Sequence, residues 1–147
     1  QIFLGLIFNW GILIGFLIQN DELTLGAIYL YISGFFLTIA YDTIYAFQDL
    51  KDDKKIGVKS LAIYLEKKPR ILIFLIFFLS FGFLNLAIYV STNKRLVTIF
   101  LLTCVILICY FFQYLFFLKK KSYKKIFDFS AFVGFLITVV VFIQNYL

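Results

Sequence analysis

The sequence predicts an all-α fold: a polytopic transmembrane helix bundle. Three observations carry this expectation. Of the 147 residues, 63% are hydrophobic, well above the share typical of a water-soluble domain. Four long runs contain no Asp, Glu, Lys or Arg, and a fifth is interrupted only by Asp42. A helix of about 20 apolar residues crosses the roughly 30 Å hydrocarbon core. Lipid admits only helices or closed barrels, and the strict alternation of a barrel strand is absent.

Five spans follow in order. The first is expected at 1–20, opening on QIFLGLIFNWG without a charge. The second, at 23–48, is apolar apart from its polar end around Asp42. An Asp-rich loop at 49–70 follows. The third span is expected at 71–93, with Pro69, the only proline, just ahead of it, where a first helical turn tolerates a missing N–H. The fourth, at 96–118, holds Cys104 and Cys109. Five residues apart, these cysteines fall on different helix faces, and with no histidine in the chain they read as packing residues rather than as a metal or disulfide site. The fifth span is expected at 129–147. The five spans read as one domain without a linker. There is no methionine, and Gln1 lies inside an apolar run, so the chain reads as the C-terminal part of a longer protein.

Charge sets an expected orientation. The links between spans alternate: Asn20–Thr24 carries Asp21 and Glu22 and no base, Asp49–Arg70 carries seven Lys or Arg, Ser91–Arg95 carries Lys94 and Arg95, and Lys119–Asp128 carries five lysines. Alternate links share a side, so twelve basic residues collect on one side and two on the other. Basic residues favour the cytoplasmic side. The Asp-rich loop is therefore expected in the cytoplasm and the C-terminus on the opposite side. The net charge of +6 lies in membrane-flanking links, which fits contact with anionic lipid and not nucleic-acid binding. Lys119, Lys120, Lys121, Lys124 and Lys125 read as such anchors.

The chemistry concentrates in YDTIYAFQDLKDDKKIGVKSLAIYL, residues 41–65. An ionisable residue within a span is costly and marks a candidate site. If the second span continued as a helix past Gln48, Asp42, Asp49 and Asp53 would fall within about 40° of one face. Asp49 and Asp53, at i,i+4, could direct both carboxylates to one point. Mg²⁺ suits such a pair, because it takes hard oxygen ligands and completes its shell with water and substrate phosphates. Lys55, Lys59 and Arg70 could offset the charge of a diphosphate. Tyr41 and Tyr45 are candidates either for interfacial anchoring or for lining a pocket. A solvated loop of mixed charge is the alternative account of the same residues. A cation transporter using Asp42 and a structural subunit without catalysis are rival classes. The lack of charge in the later spans weighs against the transporter.

At these residues the chain resembles the UbiA-type intramembrane prenyltransferases. YDT-x-YA-x-x-D-x-x-DD-x-x-x-G-x-KS is similar to their second Asp-rich motif, in the wording of the members that use 4-hydroxybenzoate. Leu61 departs from a usual threonine, and Ser130 and Ala131 from frequent asparagines. The resemblance implies a nine-helix bundle in a bacterial inner membrane, with a first Asp-rich motif that is absent from this sequence. It implies a Mg²⁺-dependent transferase of ubiquinone biosynthesis. Its substrates would be polyprenyl diphosphate and 4-hydroxybenzoate, prenylated at the ring carbon ortho to the hydroxyl. Asp49 and Asp53 would be metal ligands, and Asp42 would support the metal site or orient the acceptor. Lys55, Lys59, Arg70, Tyr41 and Tyr45 would meet substrate. A related enzyme with another acceptor remains open. The chain alone, without the first motif, is expected to be inactive.

Overall fold

The computed structural model describes residues 1–67, 69–91, 104, 107–108, 111–112, 115 and 122–146. Lys94, Arg95, Cys109, Lys119, Lys120, Lys121 and most of the span expected at 96–118 lie outside these residues, as do the side chains of Arg70 and Ser130. All regular structure among the described residues is helical: α1 (Ile2–Phe8), α2 (Trp10–Asn20), α3 (Leu25–Ala46), α4 (Leu50–Ile56), α5 (Leu61–Leu65), α6 (Pro69–Ser91) and α7 (Tyr123–Tyr146), with the described residues between 104 and 115 also helical. Ile2–Asn20, Leu25–Ala46 and Ile71–Ser91 are long and apolar enough to cross a membrane.

Local chemistry sets the boundaries. The first apolar run breaks at Asn9, whose backbone leaves helical geometry at φ −93° and ψ 4°. Its side-chain amide donates to the Gly5 carbonyl at 2.9 Å, which meets one acceptor near the break; in lipid an unmet one is expensive. Asp21, at φ 56°, closes α2 in the left-handed conformation, which Asp tolerates better than most residues. Thr24 then caps α3, accepting from the Ala27 N–H at 3.2 Å, and satisfies one of the donors orphaned at a helix start. Pro69 stands at the head of α6. α7 begins ahead of the apolar run, at Tyr123, and its exposed Lys124, Lys125 and Asp128 extend the helix beyond the hydrophobic stretch.

The core lies between α3 and α6. Ala40, Ile44 and Phe47 meet Ile73, Phe77, Phe81, Leu84 and Ile88, with Ala62 and Leu65 of α5 and Ile126 of α7 closing one end. Small and polar residues let these helices come close, as they must where lipid offers no hydrophobic drive to association. The Ser80 hydroxyl donates to the Ser33 carbonyl at 2.9 Å, with both side chains buried. Gly26 leaves room for Ser91, whose Oγ occupies the space a Cβ would need. α1 is held to α3 by two polar contacts. Asn9 donates to the Thr38 hydroxyl at 3.0 Å, and the Tyr31 hydroxyl donates to the Leu6 carbonyl at 2.7 Å.

The second span does not continue as one helix past Gln48. α3 stops at Ala46, and Phe47, Gln48 and Asp49 donate to carbonyls three residues back: Ile44 at 3.3 Å, Tyr45 at 3.0 Å and Ala46 at 3.2 Å. These tightened bonds wind the chain by about 120° per residue instead of 100°. The Asp49–Asp53 pair is thereby turned about 60° from the face a continuous helix would give it. α4 then starts afresh and ends at Gly57, which adopts φ +74° while the Val58 N–H donates to the Asp53 carbonyl at 3.0 Å. A side chain in that conformation costs about 1–2 kcal/mol. Gly57→Ala in the full-length protein is therefore expected to speed amide exchange across residues 50–58 about five-fold, the equivalent of about 1 kcal/mol. The melting temperature should stay unchanged. Unaltered exchange there would show that α4 does not depend on this cap.

Candidate active site

The candidate residues lie where α3 gives way to α4. Asp42 is half-buried on the last turns of α3, and the Thr43 hydroxyl beside it is fully buried without a hydrogen-bond partner among the described residues. Asp49 is the N-cap residue of α4 and is exposed, whereas Asp53 is half-buried one turn later. The Asp53 N–H donates to the Asp49 carbonyl at 2.9 Å, so the i,i+4 relation of the pair is real although the approach from α3 is not straight.

Ion pairing sorts the acids of this region. Lys54 pairs with Glu66, tying α4 to the residue after α5. Lys55 pairs with Asp52 at 2.9 Å within one turn. Both pairs are solvent-exposed, and such pairs contribute at most about 1 kcal/mol. Their significance is which carboxylates they leave over: among the described residues, Asp49 and Asp53 make no ion pair and no side-chain hydrogen bond. Two like charges one turn apart repel by a few tenths of a kcal/mol, which the start of α4 offsets by favouring acids in its first turn, so the pair can be held ready for a cation. Two carboxylates with open coordination suit Mg²⁺, which commonly takes one or two protein carboxylates and leaves the rest of its shell to water and phosphate oxygens. Among the described residues, no three His, Cys, Asp or Glu side chains gather closely enough to form a fuller metal cage. Asp42 therefore stands apart from the pair. Lys59 is exposed just beyond Gly57. Arg70 sits in the first turn of α6.

Loop 58–60 is pinned from two sides. Ser60 caps α5 by accepting from the Ile63 N–H at 3.4 Å. The Gln1 side-chain oxygen accepts from the Leu61 N–H at 3.0 Å, so the start of α1 holds the start of α5.

An aromatic seam joins α3 to α7 at the same end of the bundle. The Phe127 ring lies 5.7 Å from that of Tyr41, edge to face at 73°, and 5.0 Å from that of Tyr45, tilted by 55°. Tyr123 stacks on Phe47 at 5.7 Å. Such ring pairs contribute about 0.5–1.5 kcal/mol beyond their buried area. Neither Phe127 nor Tyr123 stands out in the sequence, where phenylalanine alone accounts for 21 residues. The signal that would have found them is spacing: Tyr41 and Tyr45 are an i,i+4 aromatic pair at the polar end of one helix, and Tyr123 and Phe127 repeat that pattern at the basic end of another.

Comparison with known proteins places this geometry in context. Residues 1–141 match the profile of the UbiA prenyltransferase family. A 4-hydroxybenzoate octaprenyltransferase of Pseudomonas fluorescens is 47% identical over 87 residues, covering 59% of this chain and 29% of that protein. The proteins of the same name from Pseudomonas entomophila and Shewanella oneidensis are 44% identical over 87 residues and 43% over 70, covering 59% and 48% of this chain and 29% and 24% of their own lengths. The matched stretch thus spans less than a third of each of these relatives. No solved structure matches.

Proposed function

Because the chain belongs to the UbiA prenyltransferase family, we propose that the full-length protein transfers a polyprenyl group from polyprenyl diphosphate to 4-hydroxybenzoate, at the ring carbon ortho to the hydroxyl, as a step of ubiquinone biosynthesis. The observation that carries this reading is the pair Asp49 and Asp53, left without a cation at the mouth of an apolar bundle while the neighbouring Asp52 and Glu66 are matched by lysines. The names of the similar Pseudomonas and Shewanella proteins supply the acceptor.

In this reading Asp49 and Asp53 would hold Mg²⁺. When bound there, the ion would supply positive charge to stabilise a departing diphosphate. Lys59, and Lys55 once released from its exposed pair with Asp52, add positive charge for the same group, with Arg70 in reach of that role by its place at the head of α6. The carbon–oxygen bond of the allylic diphosphate breaks and its electron pair leaves with the diphosphate. The ring carbon of the acceptor then bonds to the allylic carbon, and loss of the ring proton restores aromaticity. Asp42 lies next to Tyr41 and one turn from Tyr45, a position suited to orienting the acceptor or supporting the metal ligands. Tyrosine faces attract a cation by about 0.5–2 kcal/mol each, and exclusion of water by the apolar bundle protects the cation from hydrolysis. In this reading the site opens on the cytoplasmic side, which the excess of basic residues in the flanking links supports, and the prenyl tail lies among the apolar helices.

The test is prenyl transfer by the full-length protein in lipid nanodiscs, with 4-hydroxybenzoate, a naphthoate and a porphyrin as acceptors, with and without Mg²⁺. Mg²⁺-dependent prenylation of 4-hydroxybenzoate is the expected result. Transfer only to another acceptor would correct the substrate, and no transfer with any acceptor would overturn the reading.

A further inference from the structure

We propose that Phe127 is a positioning residue, whose ring, wedged against both Tyr41 and Tyr45, fixes the two tyrosine faces beside Asp42. The proposal rests on the prenyl-transfer reading for its catalytic consequence, but the geometry stands without it. Tyr41 and Tyr45 are one turn apart on α3, so their rings leave a notch that a third ring can fill. Phe127 fills it, with centroids at 5.7 Å and 5.0 Å and interplanar angles of 73° and 55°. Those angles are the edge-to-face and tilted arrangements that the ring quadrupole prefers, so the contact holds orientation as well as bulk.

Phe127 is itself held in place. The preceding residue, Ile126, is 1% exposed and belongs to the α3–α6 core. Tyr123, one turn earlier, is stacked on Phe47 at 28°. These two contacts fix the rotation of α7 and leave Phe127 directed at the tyrosine pair. Tyr45 needs such a partner most: it is 44% exposed, and among the described residues neither its hydroxyl nor that of Tyr41 makes a hydrogen bond that would fix the ring from its far end. Tyr45 keeps 44% of its surface exposed and Tyr41 is half-buried, so rings packed on Phe127 still leave area for a ligand. Beside a half-buried carboxylate, the two rings can line the path of an electron-poor allylic carbon or stack on an aromatic acid. If they rotate, the allylic carbon meets water as readily as the acceptor ring, and diphosphate release becomes uncoupled from transfer.

The experiment compares Phe127→Leu, Phe127→Tyr and Phe135→Leu in the full-length protein in nanodiscs. Phe135 is an exposed residue of the same helix, 64% accessible. Phe127→Leu keeps an apolar side chain and removes the ring. It is expected to lower kcat about ten-fold with the KM for polyprenyl diphosphate unchanged, and to raise the ratio of polyprenol to prenylated product. Phe127→Tyr should recover kcat to within about two-fold of wild type, and Phe135→Leu should not change it; a change in melting temperature shared by both leucine variants would not produce this split. A second readout does not depend on activity. In protein labelled with 3-fluorotyrosine, the Tyr41 and Tyr45 fluorine resonances, assigned from Tyr41→Phe and Tyr45→Phe, should collapse towards averaged positions in Phe127→Leu and stay distinct in Phe127→Tyr. Resonances that keep their shifts and widths in Phe127→Leu would overturn the proposal whether or not the enzyme is active, as would an unchanged kcat and product ratio in an active enzyme. Wild type without transfer but with the expected fluorine behaviour would refute the prenyl-transfer reading and leave the positioning role standing.

Discussion

Asp49→Asn or Asp53→Asn in the full-length protein is expected to reduce kcat/KM for prenyl transfer about a hundred- to a thousand-fold, the scale of losing a preorganised charge contact at a developing negative charge. Asparagine matches aspartate in shape but cannot supply the charge that holds a divalent ion. The loss should therefore be partly recovered at high Mg²⁺. Asp52→Asn is the informative control. Asp52 sits between the two in sequence, yet it is paired with Lys55 at the exposed side of α4, at 2.9 Å. Its removal should change the rate by no more than about three-fold, as expected for an exposed ion pair. The contrast needs only initial rates at several Mg²⁺ concentrations and a melting curve for each variant. Equal losses at Asp49 and Asp52 would mean that the whole acidic cluster acts as a field rather than the pair as a ligand set.

The difference between Asp52 and its neighbours marks the boundary of what the sequence discloses. The i,i+4 spacing singles out Asp49 and Asp53, but it cannot say which acids the interleaved lysines take up. That depends on rotamers and on Glu66, which reaches Lys54 from beyond α5. The helical character of the chain was legible because apolar runs of about 20 residues leave few alternatives in lipid. The start of α6 was legible because one residue marks it, Pro69. The turn at Phe47–Asp49 was not: no glycine or proline marks it, and the end of the apolar run at Gln48 is equally compatible with a helix that continues into the polar stretch. The break at Asn9 also escaped, because one polar residue inside an apolar run does not by itself mark a helix end; its amide meets the Gly5 carbonyl. Phe127 and the Gln1–Leu61 contact depend on residues that are distant in sequence and chemically ordinary. Tertiary packing alone gives them meaning.

Packing also yields the largest expected effect on stability, at the seam of α1 and α3. A Cβ on Gly5 would stand 3.0 Å from Phe35 Cδ2, 3.1 Å from the Phe35 carbonyl oxygen and 3.3 Å from Ile39 Cγ1. The backbone oxygen cannot move aside as a flexible side-chain tip would, so Gly5→Leu must push α1 away from α3. Overpacking of this kind costs about 1–3 kcal/mol. The displacement would also stretch the Asn9–Thr38 and Tyr31–Leu6 hydrogen bonds, each worth about 0.6 kcal/mol in a membrane bundle. A total loss of about 2–4 kcal/mol is expected, measured as a lowered melting midpoint in nanodiscs. Gly82→Leu on α6, where a new Cβ meets nothing within 4 Å, should leave the midpoint within the scatter of wild type. The seam links stability to the site, because Gln1 at the head of α1 accepts from the Leu61 N–H. Moving α1 releases the start of α5 and with it the loop that carries Lys59. Gly5→Leu should therefore raise the KM for polyprenyl diphosphate even at temperatures where the protein remains folded. A destabilised variant with an unchanged KM would show that the α1–α5 contact supports the fold without supporting the site.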